Sequence, residues 1–144
     1  MTLDLPPDGI IRDQSGAQAS VGYVVDVGQP DRMARATLAV RDAHSNRNGM
    51  LHGGIIAMLL DAACGFTASM QLGDGDALTP LVTVSLNTAF VAGARIGSTV
   101  TATGYPCGGG RKIAHVRGEL RDEHDRLIAT AQGIFKKTPA ERFT

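Results

Sequence analysis

The chain has 144 residues, enough for one domain with its own hydrophobic core. Its formal net charge is zero, neither half is strongly basic and Trp is absent, which argues against a nucleic-acid surface and against a stacking platform for bases. The two cysteines, Cys64 and Cys107, lack CxxC spacing and read as idle thiols in a reducing compartment.

Residues 1–19 read as a weakly specified arm punctuated by Pro6-Pro7 and Gly9. The opening "MTLDLPPDGI" has neither a basic n-region nor an apolar h-region, so a soluble cytoplasmic protein is expected. The runs 20–28, "SVGYVVDVG", and 33–41, "MARATLAVR", predict two strands, with a turn at "QPD". Residues 42–52 are polar, carry Gly and Asn, and predict a loop. From Gly53 to about Met70 the apolar run exceeds the usual length of a buried strand and predicts one helix. Its most apolar part, 55–66, is interrupted by Asp61 and is expected to be too short to span a bilayer.

After a loop at 72–80 come four strand-like runs, at 81–91, 98–106, 111–122 and 126–135. The gaps carry turn chemistry: "AGARIG", "PCGGG" and "EHD". In "LVTVSLNTAF", alternation sets Val82, Val84, Leu86 and Phe90 on one face and Thr83, Ser85 and Asn87 on the other. The order β-β-α-β-β-β-β lacks alternating βα units and excludes a doubly wound parallel sheet. The expected class is α+β: a curved, mostly antiparallel sheet wrapped around one long central helix. The domain is expected over 20–137, with a short tail at 138–144.

Asp61 is the only formal charge between Arg47 and Asp74. Burying a carboxylate without a partner costs several kcal/mol, roughly, or neutralises it. It either bonds to backbone or Arg groups as a structural element or does chemistry. Upstream, "HGG" places Gly53 and Gly54 where the first helical N–H groups lack intrahelical partners and carry the positive end of the helix dipole. Glycine lets a ligand approach that backbone, and a carbonyl oxygen gaining charge would be stabilised there. The glycines could equally serve packing after a flexible loop. A carboxylate and an oxyanion donor on one helix favour function.

Gly53 and Asp61 stand eight residues apart, about 12 Å of helical rise. A base must bring its water within about 3–3.5 Å of the carbonyl carbon while the donor holds the oxygen at about 3 Å. One helix can hardly do both; two antiparallel helices can. A homodimer with two active sites on the subunit boundary is therefore expected.

The pattern N-x5-HGG-x6-D, here Asn46, His52, Gly53, Gly54 and Asp61, resembles the hotdog-fold acyl-CoA thioesterases of the PaaI-like group, related to 4-hydroxybenzoyl-CoA thioesterases. The resemblance runs from about residue 20 to 137 and includes "VTVSLNTAFVAGARIG" after the helix. It implies hydrolysis of an acyl- or aryl-CoA thioester to the free acid and CoA. The Gly53 N–H would polarise the carbonyl, and Asp61 of the other subunit would be general base or nucleophile. Asn46 would hold the water or the thioester, and His52 would shape the loop near it. Thr83 matches a family Ser or Thr that orients the water, and Ser85 takes that role if the register differs by two. Where some relatives carry a further hydroxyl this chain has Gly65, so that role is not carried over. Coenzyme A is part of the substrate, no cofactor is implied, and a tetramer of two dimers fits the resemblance.

The residues themselves suggest no metal ligand set: His44 and His52 share a loop without a matching third ligand. No G-x-S-x-G elbow is present, and Cys64 lies three turns from His52. His115 and His124 read as surface residues. "GGGRK" at 108–112 is not a phosphate loop, since a strand follows it, but Arg111 and Lys112 could meet the CoA phosphates. Arg95, Lys136 and Lys137 are further candidates. Three rivals stand beside hydrolysis: an acyl-CoA-binding sensor or carrier, a hotdog dehydratase or hydratase, and an assembly subunit. The first has no need of a buried base, the second calls for an Asp–His pair in another loop context, and the third predicts that removing the carboxylate is harmless or stabilising.

Overall fold

The computed structural model describes residues 3–73 and 77–139. Short strands β1 (Leu3–Asp4) and β2 (Ile10–Ile11) precede helix α1 (Gly16–Val21) and strands β3 (Val24–Asp26) and β4 (Arg35–Ala39). A 3₁₀ turn, Asp42–His44, leads to the long helix α2 (Gly53–Gln71). Then follow β5 (Ala77–Leu78), β6 (Leu81–Phe90), β7 (Thr99–Gly109), β8 (Ile113–Asp122) and β9 (Leu127–Lys137). Seven strands form one antiparallel sheet in the order β2-β3-β4-β7-β8-β9-β6, and β1 pairs with β5 beside it. The expected α+β architecture, a sheet curved around one central helix, is what the chain forms.

Four expectations are corrected. The segment read as an arm is folded from residue 3: β2 extends the sheet, and Ile11 and Gln18 are buried. Residues 16–21, partly read as strand, are helical because Ser15 caps the Gln18 N–H and Gly22 closes the helix in the left-handed region, φ 90°. Second, the glycine run expected as a turn belongs partly to β7, which bulges between Pro106 and Gly108; the turn itself is Gly110–Lys112. Third, α2 has 19 residues and is long and apolar enough to cross a bilayer by length and composition. In this fold its apolar face packs on the sheet instead: Leu59, Leu60, Ala63 and Cys64 are completely buried. The loop expected at 72–80 contains β5, and its residues 74–76 lie outside the described ones.

The helix sits close to the sheet because two glycines face it. Gly104 of β7 and Gly118 of β8 are direct cross-strand partners. A Cβ on Gly104 would stand 2.6 Å from the Ala63 carbonyl oxygen and from Thr67 Oγ1; one on Gly118 would meet Cys64 Sγ at 2.8 Å. Thr67 Oγ1 uses the proximity, accepting from the Ala34 N–H at 2.9 Å and donating to the Gly104 carbonyl at 3.3 Å. At the far end Arg32 donates to the Met70 carbonyl, where a cation suits the helix C-terminus. Gly104→Ala is therefore expected to destabilise the fold by about 1–3 kcal/mol, since the obstructing atom is backbone. A thermal melt should show Tm lower by several degrees, and an unchanged Tm would mean that the helix has room to retreat.

Strand β6 ends the sheet. It pairs with β9 on one side, and its other edge is unpaired among the described residues. Val84 (57% exposed), Phe90 (59%) and the following Val91 (59%) are large apolar residues on or beside this edge. A ten-residue open edge with exposed apolar side chains is a pairing surface unless something covers it.

Candidate active site

Helix α2 carries both principal groups. His52 is its N-cap: Nδ1 accepts from the Gly54 N–H at 2.8 Å, and the His52 carbonyl accepts from Ile55 and Ile56. Among the described residues the Gly53 N–H has no hydrogen-bond partner. Of the two glycines, Gly53 therefore keeps an open donor at the positive helix end, while the donor of Gly54 is already used. The Phe90 ring lies against Gly53, 3.3 Å from where a Cβ would stand.

Asn46 Oδ1 accepts from the Asn48 and Met50 N–H groups, closing the loop before the helix. Its carbonyl oxygen is spent on that loop, and its side-chain amide has no partner among the described residues. His44 is structural. Nδ1 accepts from the Arg41 N–H, so Nε2 carries the proton and donates to the Val21 carbonyl at 2.7 Å.

Two turns into α2, Asp61 is half-buried and faces β6, where Thr83 Oγ1 donates to Asp61 Oδ1 at 2.7 Å. The even alternation expected along β6 fails here. The register slips between Thr83 and Ser85, so Val84 is the extra residue of a bulge. Thr83 pairs with Phe135, which is buried on the helix side, and Leu86 pairs with Gly133 on that same side. Ser85 pairs with Ile134 on the opposite face. Thr83 and Leu86, assigned by alternation to different faces, both point at α2, and of the two candidate hydroxyls Thr83 is the one that meets Asp61.

Beside this pair opens a cavity of about 610 Å³, the size of a small-molecule site. Asp61 and Thr83 stand on its wall with a largely apolar remainder that includes Met58, Phe66, Leu78 and Pro80. Tyr23 also lines it, and burial first, then the Asp61 charge, holds its phenol above the ordinary value. Cys64, one turn past Asp61, is pushed up to about 12 by burial and secondarily by the Asp61 charge, which leaves it an inert thiol. His115 and His124 are exposed, on β8 and in the turn after it. Arg111 and Lys112 stand at the tip of the β7–β8 hairpin, outside the lining of the Asp61 cavity, and Arg95 is exposed where it bridges to Met50.

A long helix wrapped by a curved antiparallel sheet defines the hotdog class. Solved structures share the fold. The PaaI protein of the E. coli phenylacetic acid degradation operon superposes with TM-score 0.75 over 88% of this chain and 87% of that one, at 20% identity. AziG of S. sahachiroi superposes with TM-score 0.71 over 81% and 91%, at 28% identity. Residues 48–129 match the family model of the Thioesterase superfamily, and the chain belongs to that family. It is a thioester hydrolase by class. Among curated relatives, acyl-coenzyme A thioesterase 13 of Mus musculus is 29% identical over 93 residues, which span 64% of this chain and 64% of that protein.

Proposed function

We propose that the protein hydrolyses acyl-CoA thioesters to the free acid and coenzyme A, with each active site built from two subunits. The observation that carries the chemistry is the half-buried Asp61 bonded to Thr83 on the wall of an apolar cavity. Thr83 occupies Oδ1, so Oδ2 remains to take a proton from water. The water oxygen attacks the thioester carbon as its proton passes to Asp61, and the Gly53 N–H holds the oxyanion. Collapse breaks the C–S bond, and the leaving thiolate recovers the proton. The acyl group, aliphatic or aryl, lies in the apolar cavity.

Open edge β6 supports the two-subunit reading. Strand and helix run in opposite senses: Phe90 lies by Gly53, and Thr83 by Asp61. Two copies of β6 joined antiparallel about a two-fold axis near Leu86 would set the partner's Phe90 opposite Thr83. The partner's Gly53 would then approach Asp61. The same pairing covers the exposed apolar edge. A tetramer would be two such dimers, and the cytosol is the proposed location.

A panel of acyl-CoA thioesters assayed with a thiol-trapping reagent tests the activity; release of thiol from none of them would reject it. Thr83→Val is expected to lower kcat about tenfold with KM little changed, while Thr83→Ser keeps most activity and Ser85→Ala nearly all of it. Equal losses at Thr83 and Ser85 would contradict the bond to Asp61 as the reason.

A further inference from the structure

The cavity beside Asp61 is a channel along one face of α2. Met58, Asp61, Ala62, Gly65, Phe66 and Ser69 line it, at the three- and four-residue spacing of a single helix stripe. Its other walls belong to the same chain: residues 78–81 at the entry to β6, and Ala17 of α1. Asp61 stands near one end of the stripe. Ser69 lies about 12 Å further along the helix axis. There the Ser69 hydroxyl donates to the Thr79 carbonyl at 2.7 Å, so it asks nothing of a ligand.

Gly65 stands in the middle of this path, one turn past Asp61. A glycine inside a helix weakens it relative to alanine, by leaving more backbone freedom to lose on folding. Gly104 and Gly118 repay such a cost through packing, since a Cβ on either would stand 2.6 or 2.8 Å from atoms of α2. Gly65 has no such reason. A Cβ there would meet only the Phe135 ring among the described residues, at an ordinary contact distance of 3.5 Å. Alanine would therefore fit and strengthen the helix. What a side chain would remove is channel space, because Gly65 opens on the cavity. Helical side chains lean toward the N-terminus, so a large residue here would reach back over Ala62 and close the channel just past the carboxylate.

We infer that Gly65 sets the acyl preference of the enzyme, by keeping the channel open so that a straight aliphatic acyl chain runs along α2 from Asp61 to Ser69. This deepens the acyl-CoA reading above and rests on it. At ordinary carbon–carbon bond lengths and angles, that distance of about 12 Å holds an extended chain of about nine or ten carbons. Beyond Asp61 the walls are mainly apolar, with Ala62, Phe66, Leu78 and Pro80, so each methylene that enters leaves water for an apolar surface. The substrate class is a medium-chain acyl-CoA rather than a short-chain or benzoyl one.

The test follows hydrolysis of butanoyl-, hexanoyl-, octanoyl-, decanoyl- and benzoyl-CoA by the wild type, Gly65→Ala and Gly65→Leu, beside thermal melts and size-exclusion chromatography. Wild-type kcat/KM is expected to rise from butanoyl- to decanoyl-CoA; a preference for butanoyl- or benzoyl-CoA would overturn the proposal. In Gly65→Leu the decanoyl-to-butanoyl ratio of kcat/KM should fall about 30–100-fold, mostly through KM. In Gly65→Ala the ratio should fall several-fold while Tm rises by about 2–4 °C. If Gly65→Leu fails to fold, the alanine variant decides by itself. A lower Tm in Gly65→Ala would make the glycine a packing requirement and overturn the proposal. So would an unchanged ratio; combined with an altered oligomeric state in Gly65→Leu, it would give the space to a second copy of the chain. Calorimetric titration with 1-octanol, which has neither thioester nor coenzyme A, separates this inference from the proposed function. If the wild type hydrolyses none of the thioesters, the proposed function fails. Octanol binding that Gly65→Leu weakens by about tenfold or more would still uphold the channel, and a wild type that then binds no octanol would overturn it as well.

Discussion

Asp61→Asn is expected to fold as the wild type does and to lose about 10²–10⁴-fold in kcat. Amide and carboxylate are nearly isosteric, and the Asn carbonyl oxygen can still accept from Thr83 Oγ1, which now bonds Oδ1 at 2.7 Å. The half-buried position therefore keeps its packing and its hydrogen bond. What disappears is the oxygen free to take a proton from water. The measurement is steady-state hydrolysis of the best acyl-CoA substrate beside a thermal melt of each protein. A variant that melts normally and turns over at near the wild-type rate would make Asp61 structural, and its carboxylate would then matter only through its bond to β6.

The second large effect concerns assembly. Gly53→Val keeps the acid but crowds the helix start, because a Cβ there already meets the Phe90 ring at 3.3 Å. The open donor is then blocked by a β-branched side chain. Asp61→Asn keeps the donor and lacks the base. Each homodimer should be nearly inactive, since every site lacks one half. Co-expressed or co-refolded, the two chains exchange, and about half of all dimers are mixed by random pairing. A mixed dimer holds one site with intact Gly53 from one chain and intact Asp61 from the other, and a second site with both lesions. Recovery of about a quarter of wild-type activity is expected from that symmetry. Verified heterodimers with no more activity than either parent would place Gly53 and Asp61 in a site within one chain.

Much of this was legible in the sequence because it depends on short-range patterns. The period of the apolar run located α2 to within about a residue at either end, and the turn residues "QPD", "AGARIG" and "EHD" separated strands that the fold does form. The lone charge in the apolar run and the paired glycines eight and seven positions before it in "HGG" marked the candidate site, since charge and glycine are conspicuous in a helix that must be buried. Helix α1 is legible too: Ser15 with Gln18 three residues later is an N-terminal capping signature, which the valines that follow mask with strand character.

Other features were decided only when the chain closed on itself. The bulge at Val84 turns Thr83 toward Asp61 and Ser85 away, and no alternation rule contains it, because a bulge is a compromise between two strands and the helix beneath them. The pairing of Gly104 with Gly118, which sets the depth at which α2 lies, joins residues from different strands. Composition and periodicity determined the long helix, the six longer strand regions and the candidate site residues, since those follow from each residue's own burial preference and its near neighbours. The tertiary structure decided which hydroxyl meets the carboxylate and how close the helix lies to the sheet, since both are distances between segments far apart in the chain.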